Sequence, residues 1–445
     1  MNLRNSVLLL VLLFACSLFF SFAFKYNFGS DIGYVNAYGD RFAYAGRGSW
    51  YSMSKDPYTK VRSEYPQLDA YFKALPYVIL DALGPLDMTD AEQISNPEQS
   101  ISLNPVNPNR LNTPYIQNNL FMNYSVVFSL LMMVFLLLSI VFLYRMRPDR
   151  KYLAFLMLLP ASFYYSYNRF DIMLCFLTLL SLYLLYKERY RWSALAIALG
   201  FFMKWYMIIL MPVFVVYYYS RHKKINWSMI IVFCLVSVIF VLSTIIWSGV
   251  EGLYVPFEFH FARFMDQPSM SLIIYRSLYS IIETFQIMSL ELYNQLFYGY
   301  ALRVGFLLQF SIIPLCLTSK IDTFEKVIKW SALSVLVFIL FAKINSPHWI
   351  LWFSCLLIMI SRDWKYILGI ILLDLVTYLL WPIAFSLYLE SYISLNLALC
   401  VFVAWLVILL VFAVHIFSEV ISDNYVYNMI RKRYNQKDLI ERENV

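Results

Sequence analysis

The chain has 445 residues, 61% of them hydrophobic and 14% charged, and its mean hydropathy is +0.63. Soluble globular chains carry roughly 45–50% apolar and about 25% charged residues, so these proportions exclude a large separate soluble domain. The net charge of +7 does not point to nucleic acid, because the basic residues fall in short clusters between apolar runs, as in the cytoplasmic loops of membrane proteins.

A helix that crosses a bilayer needs about 20 apolar residues, and the apolar runs here match that length. The first covers 6–24 and follows Arg4. Its signal-like look is not followed by an A-x-A-like cleavage site; Lys25, Tyr26, Asn27 and Phe28 come next. It is read as an uncleaved first helix. A polar loop over 25–120 follows. Within it, 68–83 is apolar but interrupted by Asp69, Lys73, Pro76 and Asp81, too charged to span, and reads as an interfacial amphipathic helix. The Asn-, Pro-, Ser- and Gln-rich stretch 87–114 reads as irregular loop.

Further spans are predicted near 122–144, 152–166, 171–186, 193–203, 206–219, 227–247, 296–318, 327–342, 348–361, 366–388 and 393–418. The stretch 268–295 adds a membrane-surface helix or one more span. The expectation is an all-α polytopic membrane domain over 1–420 with about 12 transmembrane helices and a tail over 421–445. No internal repeat is visible, and transporters often carry matched halves. The six cysteines all lie in apolar runs, which predicts no disulfide framework.

Alternate loops differ sharply in basic content. One set holds Arg145, Arg147, Arg150 and Lys151; Lys187, Arg189 and Arg191; Arg221, Lys223 and Lys224; Lys320, Lys326 and Lys329; Arg362 and Lys365; and Arg431, Lys432 and Arg433 in the tail. The other set holds few. The positive-inside rule assigns the rich set to the cytoplasm. Both termini then face the cytoplasm and the 25–120 loop lies outside.

The outer loops carry few charges, and these sit at the ends of apolar runs: Asp31 and Asp40; Arg169 and Asp171; Lys204; Glu258, His260, Arg263 and Asp266; Lys343 and His348. Any one Lys or Arg there also fits a side chain snorkelling to the interface. The set as a whole mixes carboxylates, histidines and cations, and ionisable groups at membrane depth usually have a partner or a task. Cations suit the phosphate of a lipid carrier, and they offset charge building on a departing phosphate. A carboxylate beside them can deprotonate an attacking hydroxyl. This is compatible with sugar transfer from a lipid phosphate, without being unique to it.

Four segments in order resemble GT-C glycosyltransferases, and among them the polyprenyl-phosphate-mannose-dependent α-mannosyltransferases, including the catalytic subunit of GPI mannosyltransferase I. The first is SDIGYVNAYGDRFAYAGRGSWY followed by EYPQL, which resembles that family's first outer loop. The others are NRFDIMLCFLTLLSLYLL with ALGFFMKWYMIILMP, then FEFHFARFMDQPSMS, then FAKINSPHWILWFSCLL. They span 30 to about 355 and fall on the outer side by the charge count.

The resemblance implies a GT-C fold and transfer of a hexose, with mannose expected, from a polyprenyl (dolichyl-type) phosphate to a hydroxyl acceptor outside. It places Asp31 as general base, with Tyr34 and the second acidic residue Asp40 in the same loop. Lys204, His260, Arg263 and Lys343 would hold the donor phosphate. Tyr65, Arg169, Asp171, Asp266 and His348 are further site candidates, and Asn168, Tyr206, Ser346, Pro347 and Trp352 also match. A single base implies inversion. Some relatives carry a D-x-D pair after the first helix; here its second place is Gly33, so no metal is expected. His348 stands where Gln is usual, and Gln67 replaces a Pro.

The expected partners are the polyprenyl-phosphate sugar donor, a glycan or glycolipid acceptor and membrane lipids. Nucleic acid is not among them, and an accessory subunit stays open. The expected setting is a prokaryotic plasma membrane, with the endoplasmic reticulum as alternative. The rival functions are a transporter or flippase of lipid-linked sugars and a surface-polysaccharide polymerase or ligase. The rival enzymes usually place their large outer loop late in the chain, whereas here it is early.

Overall fold

The computed structural model describes residues 44, 45, 48, 56, 58, 63–84, 119–262, 269–389 and 394–429. The expected first span over 6–24 lies outside them. Among the described residues helices form and no strand does, with one isolated β-bridge between Ser319 and Asn424. In chain order the helices are α1 (Gln67–Leu83), α2 (Asn119–Met146), a 3-10 segment (Lys151–Leu158), α3 (Pro160–Asn168), α4 (Asp171–Tyr186), α5 (Tyr190–Met203), a 3-10 turn (Trp205–Ile209) and α6 (Leu210–His222). Then come α7 (Trp227–Ser248), α8 (Val255–Ala262), α9 (Met270–Phe285), α10 (Leu290–Leu296), α11 (Leu302–Gln309) and α12 (Ile312–Leu317). The last are α13 (Phe324–Leu340), α14 (Ile350–Ile360), α15 (Trp364–Tyr378), α16 (Phe385–Leu389) and α17 (Leu395–Val420).

Five stretches are long and apolar enough to cross a membrane: Asn123–Met146, Trp227–Ser248, Leu290–Leu317, Trp364–Ala384 and Leu395–Asp423. They become six if α3 and α4, bent by 105° at their junction, count as one span. These features fit an all-α membrane protein. The other expected spans are shorter or broken. The 152–166 run divides at Leu159, whose extended backbone separates the 3-10 segment from α3. The 14 residues of α5 rise only about 21 Å, short of a hydrocarbon core of about 30 Å. In the uncertain 268–295 stretch, α9 is capped by Ser269, whose hydroxyl accepts from Leu272 N at 3.0 Å, satisfying a donor that the first helical turn leaves open.

The described residues fall into two compact units. The first comprises Met1–Met207, Ile231–Phe264 and Pro347–Trp405. Its centre is α4, which packs against α2, α5 and α14 and buries Leu174, Cys175, Leu179 and Leu182 completely. Helix α3 lies on α2, α14 and α15. Its first turn is capped from another helix: Asp374 of α15 accepts from Ala161 N at 2.8 Å, from Ser162 N at 2.9 Å and from the Ser162 hydroxyl at 2.7 Å. At the far end of α14, the Arg147 guanidinium bonds the carbonyls of Ile358, Met359 and Ser361, which a helix C-terminus otherwise leaves unpaired.

Helix α1 is where it was expected, but two of its three charges face inward, while Asp81 is exposed. Asp69 and Lys73, one turn apart, form a buried ion pair, while Val78 and Leu83 are exposed. Of the interruptions that marked it as amphipathic, Asp69, Lys73 and Pro76 therefore face the protein. The face is closed by Tyr124, which donates to the Lys73 carbonyl at 2.9 Å, and by Tyr77, which donates to the Ala45 carbonyl at 3.0 Å.

The second unit comprises Ile208–Ile230, Met265–Ser346 and Leu406–Val445. Helix α13 packs on α6, α11 and α12. A small apolar core joins Ile282 of α9 to Tyr293 and Phe297. The start of α13 is tied to the end of α17 by Lys326 with Asp322 (3.0 Å) and Asp423 (2.9 Å), and by Lys329 with Glu325 (2.7 Å) and Glu419 (2.6 Å). Buried Asn424 donates to the Leu315 carbonyl and to the hydroxyls of Thr318 and Ser319 at 2.9–3.0 Å.

Candidate functional site

The site lies in the first unit, at the break between α3 and α4. Arg169 takes an extended backbone (φ −132°, ψ 144°), so α3 cannot run on, and α4 restarts at Asp171. That puts a carboxylate in the first turn of a helix, where the dipole favours negative charge. Lys204 arrives from the C-terminus of α5, again on an extended residue (φ −151°, ψ 129°).

Asp171 is wholly buried and Lys204 is 3% exposed. Their Oδ1 and Nζ atoms are 2.7 Å apart. The Trp352 indole donates to the same Oδ1 at 2.6 Å. The second oxygen, Oδ2, has His348 Nε2 at 3.6 Å and makes no hydrogen bond among the described residues. Tyr206 stacks on Trp352 at 3.8 Å and 6°, and Trp349 stacks on it at 4.5 Å. A carboxylate this deep persists only with paired charge and donors, and Lys204 and Trp352 supply them.

The Lys204 ammonium also faces three rings: Phe170 at 4.6 Å, Tyr65 at 4.7 Å and Trp352 at 5.1 Å, all within cation–π reach. Tyr65 is delivered by the stretch leading into α1, which is stapled to α7. Gln67 donates to the Ser243 hydroxyl at 3.0 Å and accepts from Thr244 at 3.2 Å. The Ser248 hydroxyl donates to Asp56 at 2.6 Å, and Tyr58 donates to the Tyr65 carbonyl at 3.2 Å. Gln67 thus has local work that the usual Pro could not do.

His260 of α8 lies against the same stretch. Its Nε2 is 2.9 Å from the Glu64 carbonyl, which can only accept, so Nε2 carries a hydrogen and donates. The ring is 5.9 Å from Tyr65 and 5.5 Å from Trp205.

The structure therefore brings together Tyr65, Asp171, Lys204, His260 and His348 from five separate stretches, with Arg169 at the bend. Lys343 lies in the second unit. Asp31, Tyr34, Asp40, Arg263 and Asp266 lie outside the described residues. Among the described residues no three His, Cys, Asp or Glu side chains gather as a metal set.

The Asp69–Lys73 pair and Phe170 escaped the sequence reading as site residues. The Asp69–Lys73 pair had a signal, since opposite charges four residues apart share a helix face. Phe170 had none, being one apolar residue among many. Trp352 was matched by its motif, but nothing in the sequence indicated that its indole N–H meets Asp171.

Comparison with known families bears on this same region. Residues 121–280 match the model of glycosyltransferase family 87. The match runs from α2 into α9 and contains Arg169, Asp171, Lys204, His260, Arg263 and Asp266. It covers about a third of the chain and supports a membrane glycosyltransferase of the GT-C type. No curated protein matches the chain.

Proposed function

We propose that the protein transfers a hexose, mannose in our reading, from a polyprenyl phosphate to a hydroxyl acceptor at the extracytoplasmic face, with inversion at the anomeric carbon. The observation that carries the reading is the overlap between the family match and the buried charged cluster: the matched stretch contains the broken span and both members of the Asp171–Lys204 pair.

In this mechanism Asp31 takes the proton of the acceptor hydroxyl as its oxygen bonds to the anomeric carbon. The bond from that carbon to the phosphate oxygen breaks, and the polyprenyl phosphate leaves with its electron pair. The transition state resembles an oxocarbenium ion. Lys204, His260, Arg263 and Lys343 supply positive charge toward the departing phosphate. Lys204 does so from behind its pair with Asp171, so a phosphate that contacts it directly competes with that carboxylate. A β-linked donor gives an α-linked product.

Membranes containing Asp31→Asn, supplied with labelled polyprenyl-phosphate mannose, test the reading. General-base removal costs about 10²- to 10⁴-fold. Retained full activity removes Asp31 from the role, and activity with a nucleotide sugar but no lipid-linked sugar rejects the donor class.

A further inference from the structure

Phe170 stands between two buried ion pairs. Its ring is 1% exposed. The Lys204 ammonium, paired with Asp171, lies 4.6 Å from its centroid, and the Lys73 ammonium, paired with Asp69, lies 5.2 Å from it. Tyr65 repeats the arrangement, with Lys204 at 4.7 Å and Lys73 at 5.2 Å. The two rings meet edge to face at 5.6 Å, and Tyr44 meets Phe170 at 5.5 Å.

Two ammonium groups on the same rings would repel each other if bare. Each brings its own carboxylate, so these four groups sum to zero charge, and the rings attract both cations through their negative faces. One lysine belongs to α1, within the first loop, and the other closes α5. Phe170 is itself the residue before α4, at the bend. The rings thus join the loop-1 side of the unit to the α4–α5 side with no direct hydrogen bond between the two ion pairs.

We infer that Phe170 is a positioning residue for sugar transfer: its π face, shared by Lys73 and Lys204, holds the stretch 63–84 against the broken span, so that Tyr65 and Lys204 keep one geometry. The role rests on the transferase reading, whereas the tie it describes can be measured without it.

The test compares Phe170→Leu, which keeps an apolar side chain and removes the π face, with Phe170→Tyr, which keeps the ring. Hydrogen–deuterium exchange on the purified full chain should be faster over 63–84 in Phe170→Leu and close to the parent in Phe170→Tyr, with 123–146 unchanged in both. Transfer per folded molecule, from polyprenyl-phosphate mannose, should fall about 10- to 100-fold in Phe170→Leu, the scale expected of a small misplacement. The loss should lie in kcat more than in KM, and Phe170→Tyr should restore it.

Unchanged exchange over 63–84 in Phe170→Leu overturns the tie, as does equal acceleration in Phe170→Tyr. Faster exchange with undiminished kcat overturns the positioning role. A parent chain that transfers no sugar overturns the transferase reading and the catalytic part of the inference with it, and the exchange contrast then reports on the tie alone. If Phe170→Leu does not fold, Tyr65→Leu against Tyr65→Phe makes the same comparison on the second ring.

Discussion

At Asp171 a single carboxylate oxygen accepts from both the Lys204 ammonium (2.7 Å) and the Trp352 indole (2.6 Å). The two donors are not equivalent. Removing the cation leaves a buried charge uncompensated, which costs about 3–5 kcal/mol. Removing the indole N–H leaves the lysine in place and costs about 1.5–3 kcal/mol, the range for a hydrogen bond to a charged group. Lys204→Met should therefore lower the thermal midpoint of the detergent-purified protein more than Trp352→Phe does. Adding Asp171→Leu to Lys204→Met should recover part of the loss, because it removes the orphaned charge. The reverse ranking would mean that charge pairing does not organise this cluster.

The helices meet through groups that serve a neighbour and not their own helix. Asp374 lies in the middle of an apolar helix and caps α3 with three hydrogen bonds. Its replacement by Leu strands Ala161 N and Ser162 N, and loss of such a cap costs about 0.5–2 kcal/mol. Asp374→Leu should lower the thermal midpoint, and Asp374→Asn, which keeps one acceptor, should lower it less. Gly48 answers a different need. A Cβ there would overlap the Lys73 carbonyl of α1, and backbone is costly to move. Gly48→Ala should reduce the yield of folded protein. A yield equal to the parent's would show that α1 can shift to accept a methyl group.

For the whole molecule, acid and orientation are the accessible tests. Asp322, ahead of α13, is held below the usual carboxylate range, first by the hydrogen bond from Lys326, with partial burial opposing it and Lys320 adding to it. A carboxylate depressed in the folded state contributes stability above its unfolded pKa of about 4 and loses it as pH falls through the folded value. The melting temperature should hold above about pH 5 and fall in acid, and Asp322→Asn should flatten part of that fall. A parent curve that Asp322→Asn leaves unaltered would take this residue out of the acid response. The charge count makes a second prediction. With accessible native cysteines replaced, Lys223→Cys and Lys365→Cys should react with an impermeant thiol reagent only after the membrane is opened, and Glu251→Cys should react in intact cells. Labelling of all three from outside would reject the assigned topology.

The bilayer requirement is linear: about 20 apolar residues in a row satisfy a helix's own backbone in lipid. For that reason the chain by itself determined helical class, the spans near 122–144, 227–247 and 393–418, which correspond to the long apolar helices Asn123–Met146, Trp227–Ser248 and Leu395–Asp423, and the loop asymmetry in Lys and Arg. It also flagged Asp171, Lys204, His260 and His348, because charge is conspicuous in so apolar a sequence, and Tyr65 through the resemblance carried by EYPQL. Partners are not linear. Asp171 meets Lys204 across 33 positions and Trp352 across 181, and Asp374 reaches α3 across more than 200. Periodicity carries no information about such distances. Nor could it tell that Asp69 and Lys73 of α1 face inward, since a buried ion pair and an exposed one share the same four-residue spacing. Tertiary packing decided these, because only the assembled helices fix which donor lies beside which carboxylate.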